Sequence, residues 1–118
     1  MVNIKGTLPV GIKFNGETHT DFILRTQTLR DTRSALSAVG KNDDVGFMAE
    51  VYRRRLVQIG TIPEEKITLD MILDIDQIDF EALEKAAADL KKNMLNGSGE
   101  SSGVGKDNAV FTENGTTV

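Results

Sequence analysis

An α+β fold is predicted, with an N-terminal β-hairpin packed on three or four α-helices and a flexible tail behind them. Three observations carry it: period-two alternation on both sides of Asn15-Gly16, apolar residues at steps of three and four in the segments that follow, and a Gly/Ser-rich stretch from Asn96 onward. With 118 residues, 39% of them hydrophobic, the chain suits one modest core. Residues 1–95 are therefore assigned to a single domain and residues 96–118 to the tail.

In the hairpin, Leu8, Val10 and Ile12 alternate with Pro9, Gly11 and Lys13, and Thr18, Thr20, Phe22 and Leu24 alternate with His19, Asp21 and Ile23. A two-residue turn at Asn15-Gly16 sets these faces against each other poorly. A three-residue loop, Phe14-Asn15-Gly16, pairs Leu8 with Phe22, Val10 with Thr20 and Ile12 with Thr18, and places Lys13 opposite Glu17. Pro9 has no N–H to donate, so its strand belongs at an edge or begins there. This register leaves His19 on the outer face.

Thr28, with Asp31 three positions on, caps a helix that runs to about Val39 and stops at Gly40. Asp44 caps a second helix over residues 45–59, whose buried stripe is Val45, Met48, Tyr52, Leu56 and Ile59. Pro63, followed by Glu64 and Glu65, opens a short turn, and Thr68 caps residues 69–73. The last helix starts from Asp76 or Asp79 and carries Phe80, Leu83, Ala87, Leu90 and Met94 at a/d spacing. That stripe serves either packing within the domain or a partner-facing seam. Leu83, Leu90 and Met94 are the candidate partner-binding residues on it. Beyond Asn96 the run Gly97-Ser98-Gly99-Glu100-Ser101-Ser102-Gly103 is linker material, and Val110-Phe111 is its one short apolar pair.

Composition excludes several function classes. Cysteine is absent, which removes disulfides, thiolate metal sites and thiol nucleophiles and fits a cytosolic setting. The first six residues lack the apolar core of a signal peptide, and no stretch approaches the ~20 apolar residues that span a bilayer, so no membrane partner is expected. The formal net charge of −4 divides into +3 over residues 1–60 and −7 over residues 61–118. An acidic second half repels phosphate, so nucleic acid is not expected as a partner. The same asymmetry permits head-to-tail self-association.

Chemical motifs fall short of their requirements. Asp74-Ile75-Asp76-Gln77-Ile78-Asp79 begins like a calcium loop but has Asp79 where glycine is needed and Lys85 where glutamate is needed, so these acids are assigned to helix capping. Between Gly99 and Asp107 a phosphate-loop pattern is off by one residue and lacks the strand and helix that fix such loops. His19 has no serine or cysteine near it in sequence. Arg53-Arg54-Arg55 fans out by about 100° per residue on a helix, giving a solvated flank or pairs with carboxylates of the last helix or of a partner. Arg54 joins the candidate partner-binding residues on that ground. No catalytic, cofactor-binding or metal-ligating residue is assigned, and the chain is expected not to be an enzyme.

The hairpin Leu8-Pro9-Val10-Gly11-Ile12 through Asn15-Gly16 to Phe22-Ile23-Leu24-Arg25, then Thr28-Leu29-Arg30-Asp31, resembles the opening of the tail assembly chaperones of Mu-like bacteriophages. Ile62-Pro63-Glu64-Glu65, Leu69 and the acidic run into Asp79-Phe80 resemble that family's C-terminal half, so the similarity covers residues 7–95. Arg25-Thr26-Gln27-Thr28 departs from it in lacking a proline soon after the arginine, and the tail has no counterpart in the resemblance. The resemblance implies a protein of the infected bacterium's cytoplasm that binds the tape-measure protein, helps recruit tail-tube protein and is absent from the mature virion. It also implies a longer form made by ribosomal frameshifting near the end of the gene. Two other classes stand beside it: a structural or adaptor subunit kept in an assembly, and a small DNA-binding regulator built on the first two helices.

Overall fold

Asn15 and Gly16 both take positive φ, 53° and 79°, and close a hairpin between β1 (Asn3–Phe14) and β2 (Glu17–Arg25). The computed structural model describes residues 2–96. Phe14 pairs with Glu17, so the turn is the two-residue kind that Asn-Gly favours, and the expected three-residue loop is corrected. Lys13 accordingly faces Thr18, and Ile12 faces His19. Face matching is restored further along. Thr7 pairs with Asp21, so Leu8, Pro9, Val10 and Gly11 all stand against the single residue Thr20 in a wide bulge. The bulge turns Leu8 and Ile12 inward beside Phe22 and Leu24. It also absorbs Pro9, which needs no ladder partner there.

His19 is buried, contrary to the expected outer face, because the register carries it inward opposite Ile12. Its Nδ1 accepts the Thr61 N–H at 3.3 Å, and its ring meets Phe14 edge-on at 6.4 Å. Gly60 lies against the imidazole at φ 52°, where any Cβ would collide with the ring.

The α1 helix spans Leu29–Val39, as its cap predicts. Thr28 and Asp31 form a reciprocal capping box. The α2 helix spans Asp44–Arg55, with Asp43 rather than Asp44 as its cap, and ends four residues before the expected limit. Leu56–Ile59 is instead a third strand, β3, antiparallel to β2, giving the sheet order β1-β2-β3. Val57 is an extra residue in that ladder, so Leu56 opposite Leu24 and Ile59 opposite Phe22 both point inward. A 3-10 turn over Glu64–Lys66 and a five-residue α3 (Leu69–Leu73), capped by Thr68, match the expected short elements. The last helix, α4, spans Gln77–Leu95.

The described chain divides into two units, with the boundary between Ala87 and Ala88 inside α4. In the first, Leu8, Phe22, Leu24, Leu56, Ile59, Ile62, Ile67, Ile72 and Leu83 form one core cluster. Described residues of the second comprise the last turns of α4 and Asn96, where Leu90 is buried and Met94 and Leu95 are exposed. The tail expected from Asn96 onward, with its Val110-Phe111 pair, lies otherwise outside the described residues. Among the described residues no helix is long and apolar enough to cross a membrane.

The last turn of the fold's logic is Asp79. Expected as a possible helix cap, it sits in the first turn of α4 with no solvent exposure, and its carboxylate accepts the Val10 N–H at 2.8 Å and the Gly11 N–H at 2.9 Å. These are the donors that the bulge removes from the ladder. Asp76 takes the capping role instead, accepting from the Ile78 N–H at 3.1 Å.

Candidate docking groove and the arginine cluster

Three of the four assigned partner-binding residues are not free surface. Leu83 belongs to the core cluster and Leu90 is buried, so the α4 stripe is used for packing at both positions and the partner-facing assignment is corrected there. Only Met94 is exposed. Arg54 lies 2.8 Å from Glu50 in an i,i+4 ion pair inside its own helix rather than with α4.

The rest of the arginine cluster is equally committed. Arg53 donates to both carboxylate oxygens of Glu50, at 2.8 and 2.6 Å, and Glu50 is buried. Arg55 is buried as well: its Nε donates to the Arg25 carbonyl at 3.0 Å and its guanidinium lies over the Tyr52 ring. A solvated flank is thus corrected to a network, because the chain turns into β3 immediately after Arg55 and draws the last turn of α2 against β2. Arg25 extends the network. It makes a two-bond fork to Asp31 at 2.7 Å and also donates to the carbonyls of Arg54 and Thr26. A cavity of about 230 Å³ lies among Arg25, Asp31, Arg53, Arg54 and Glu64.

The Arg25 fork holds the Asp31 carboxyl well below the usual carboxylate range, and the Arg53 hydrogen bonds lower that of Glu50. A carboxyl with a depressed folded-state pKa stabilises the fold above its unfolded value, near 4, and loses that contribution as pH falls toward the folded value. Stability is therefore expected to hold from neutral pH to about 5 and to fall below about 4. Asp31→Asn, measured by thermal unfolding across this range, is expected to be less stable at pH 7 and to show a flatter acid limb.

A largely apolar groove of about 310 Å³ lies between α2, α3 and the first turns of α4. Ala49 and Ile72 form its buried floor, and Val45, Met48, Leu73, Ile75 and Phe80 its walls. Val45, Met48 and Leu73 remain 66%, 41% and 44% exposed. Val45 and Met48 were expected to be buried. They are not, because α3 is only five residues long, about 7.5 Å, and cannot cover the N-terminal half of α2. Asp43 fixes where α2 begins by accepting the Gly46 N–H at 2.9 Å, which aims Val45 and Met48 from one face. Phe80 is held edge-on against Tyr52 at 5.1 Å. Gln77 and Glu84 complete the lining, and a preformed, largely apolar trough with a pliable methionine at its lip suits the nonpolar face of another chain's helix.

No protein-family model, curated protein or solved structure matches this chain. The groove's own chemistry is what bears on function.

Proposed function

We infer that this chain is a tail assembly chaperone of a Mu-like bacteriophage. It works without catalysis in the cytoplasm of the bacterial host, binding the tape-measure protein, helping to recruit tail-tube protein, and leaving before the virion is complete. The observation that carries this reading is the apolar groove with Val45, Met48 and Leu73 exposed around it. Isolated exposed apolar residues are ordinary on protein surfaces, whereas several lining one concave site between helices mark a place for another chain. An extended helical client offers such a chain many times over, and repeated weak contacts add up along it. The chain's resemblance to the family over residues 7–95 supports the same reading.

A DNA-binding regulator built on α1 and α2 is less well supported. Its recognition helix would enter the groove of DNA with Asp43 and Asp44 foremost, and the arginines at its other end are engaged with Glu50, Tyr52 and the Arg25 carbonyl.

Co-expression with the tape-measure protein tests the proposal. The wild-type chain is expected to increase the client's soluble fraction, and Met48→Asp with Leu73→Asp to abolish the increase. Both positions are exposed, so the double variant's free energy of unfolding, measured in urea, is expected to stay within about 0.5 kcal/mol per substitution of wild type. A client equally soluble with and without the chain would refute the chaperone assignment, and recovery of the chain in finished particles would favour a retained structural subunit.

A further inference from the structure

The last turn of α2 gathers more positive charge than the nearby carboxylates offset. Arg25, Arg53, Arg54 and Arg55 come together there with Asp31, Glu50 and Glu64, four guanidiniums against three carboxylates. The Arg25 fork occupies both oxygens of Asp31, and Arg53 takes both oxygens of Glu50. Arg54 has the weaker share. It lies 2.8 Å from Glu50, yet its buried Nε makes no aligned hydrogen bond. Glu64, the third carboxylate, is exposed, and its side chain makes no hydrogen bond or ion pair among the described residues.

These groups leave a concave space between them. Arg25, Asp31, Arg53, Arg54 and Glu64 wall the cavity of about 230 Å³, and the buried side chains of Leu56 and Ile67 back it. An apolar back to charged walls lowers the local dielectric and strengthens any ion pair that forms there. Donors are to hand as well. A guanidinium offers five N–H groups in a fixed fork. Arg53 uses only Nε and Nη2 on Glu50, and neither terminal nitrogen of Arg54 has a hydrogen-bond partner among the described residues. We propose that this cavity is a receptor for one carboxylate, held between Arg53 and Arg54.

Charge selects the ligand class. One negative charge matches the surplus, whereas a phosphate dianion would bring an uncompensated charge beside Asp31 and Glu64. The polar walls oppose an apolar side chain, and a cation would meet the arginines. Glu64 tunes the site, because its own charge competes with the ligand for the same guanidiniums. The cavity is separate from the α2/α3/α4 groove, and its ligand is independent of the chaperone reading. A suitable carboxylate comes either as a free small acid or as a side chain of a bound protein.

An NMR titration of the isotope-labelled full chain tests the inference, with ionic strength held constant so that screening does not change. The probes are N-acetylglutamate α-amide and, as the neutral control, the corresponding capped glutamine. The acid is expected to shift the Arg53 and Arg54 side-chain N–H resonances and to saturate at roughly 1–10 mM, while the capped glutamine leaves them in place. Arg54→Gln is expected to weaken binding at least about tenfold, and Arg33→Gln, on the exposed surface of α1, to leave it unchanged. Arg53 keeps Glu50 when Arg54 is replaced, so circular dichroism is expected to match wild type. Glu64→Gln removes the competing charge and is expected to tighten binding about threefold, a gain that misfolding cannot imitate. Acetate separates the sources. Equal affinity assigns the site to a free small acid, and at least about tenfold weaker binding assigns it to a side chain of a bound protein. Shifts that never saturate, equal shifts with the capped glutamine, Arg54→Gln binding as tightly as wild type, or Glu64→Gln binding more weakly would overturn the proposal.

Discussion

Asp79→Ala is expected to lower the free energy of unfolding by about 3–4 kcal/mol, a large part of what holds a small domain together. Asp79 has no solvent exposure, and its two oxygens accept the Val10 and Gly11 N–H groups at 2.8 and 2.9 Å. Alanine leaves both donors unsatisfied where water has little access, and each costs about 1–3 kcal/mol. It also releases the bulge that turns Leu8 inward. Asp79→Asn keeps one acceptor oxygen and opposes the other N–H with an amide donor, so it is expected to cost about half as much. The check is urea unfolding, in which the midpoint falls while the slope is unchanged.

Asp31→Ala is expected to cost a further distinct amount, about 3 kcal/mol, for a different reason. One carboxylate closes the α1 capping box and takes both arms of the Arg25 fork, while Arg25 also donates to the Arg54 carbonyl. Removing it uncaps α1 and leaves a half-buried guanidinium without its counter-charge, loosening β2, α1 and α2 together. Removing Arg25 as well should recover part of the loss. A double-mutant cycle on Arg25→Met and Asp31→Ala, read by urea unfolding, is expected to give a coupling energy of about 1–3 kcal/mol.

These two carboxylates mark the boundary of what could be read along the chain. Asp31 was legible as a capping partner because Thr28 stands three residues before it, and α1, the 3-10 turn and α3 were legible for the same local reasons. Its pairing with Arg25 was not. Asp79 stands beside Asp76 as one of two candidate caps for the last helix, since nothing local shows that it reaches a strand 68 residues earlier. That contact reconciles the Asn15-Gly16 turn with the alternation of β1. Without it, the two-residue turn that Asn-Gly prefers looked incompatible with the apolar faces. The missed strand, Leu56–Ile59, has a related cause: its apolar residues continued the helical spacing of α2, and no glycine or proline separates Arg55 from Leu56. Only the ladder to β2 distinguishes the two.

The candidate site was misplaced for a reason of packing. Apolar spacing identifies a face that will be covered and says nothing of what covers it. On α4 the stripe at Leu83 and Leu90 is buried, while on α2 the stripe at Val45 and Met48 is left open by the shortness of α3. The signal was present in the sequence as the distance from Thr68 to Asp74, which admits little more than one turn of helix.

Photo-crosslinking tests the central claim most directly. A benzophenone amino acid is placed at position 48 of the full chain, in cells that make the phage tail proteins. The expected product is a covalent adduct with the tape-measure protein, identified by mass spectrometry and lost when Leu73→Asp is added. Adducts to that protein from exposed positions outside the groove, with none from position 48, would contradict the account.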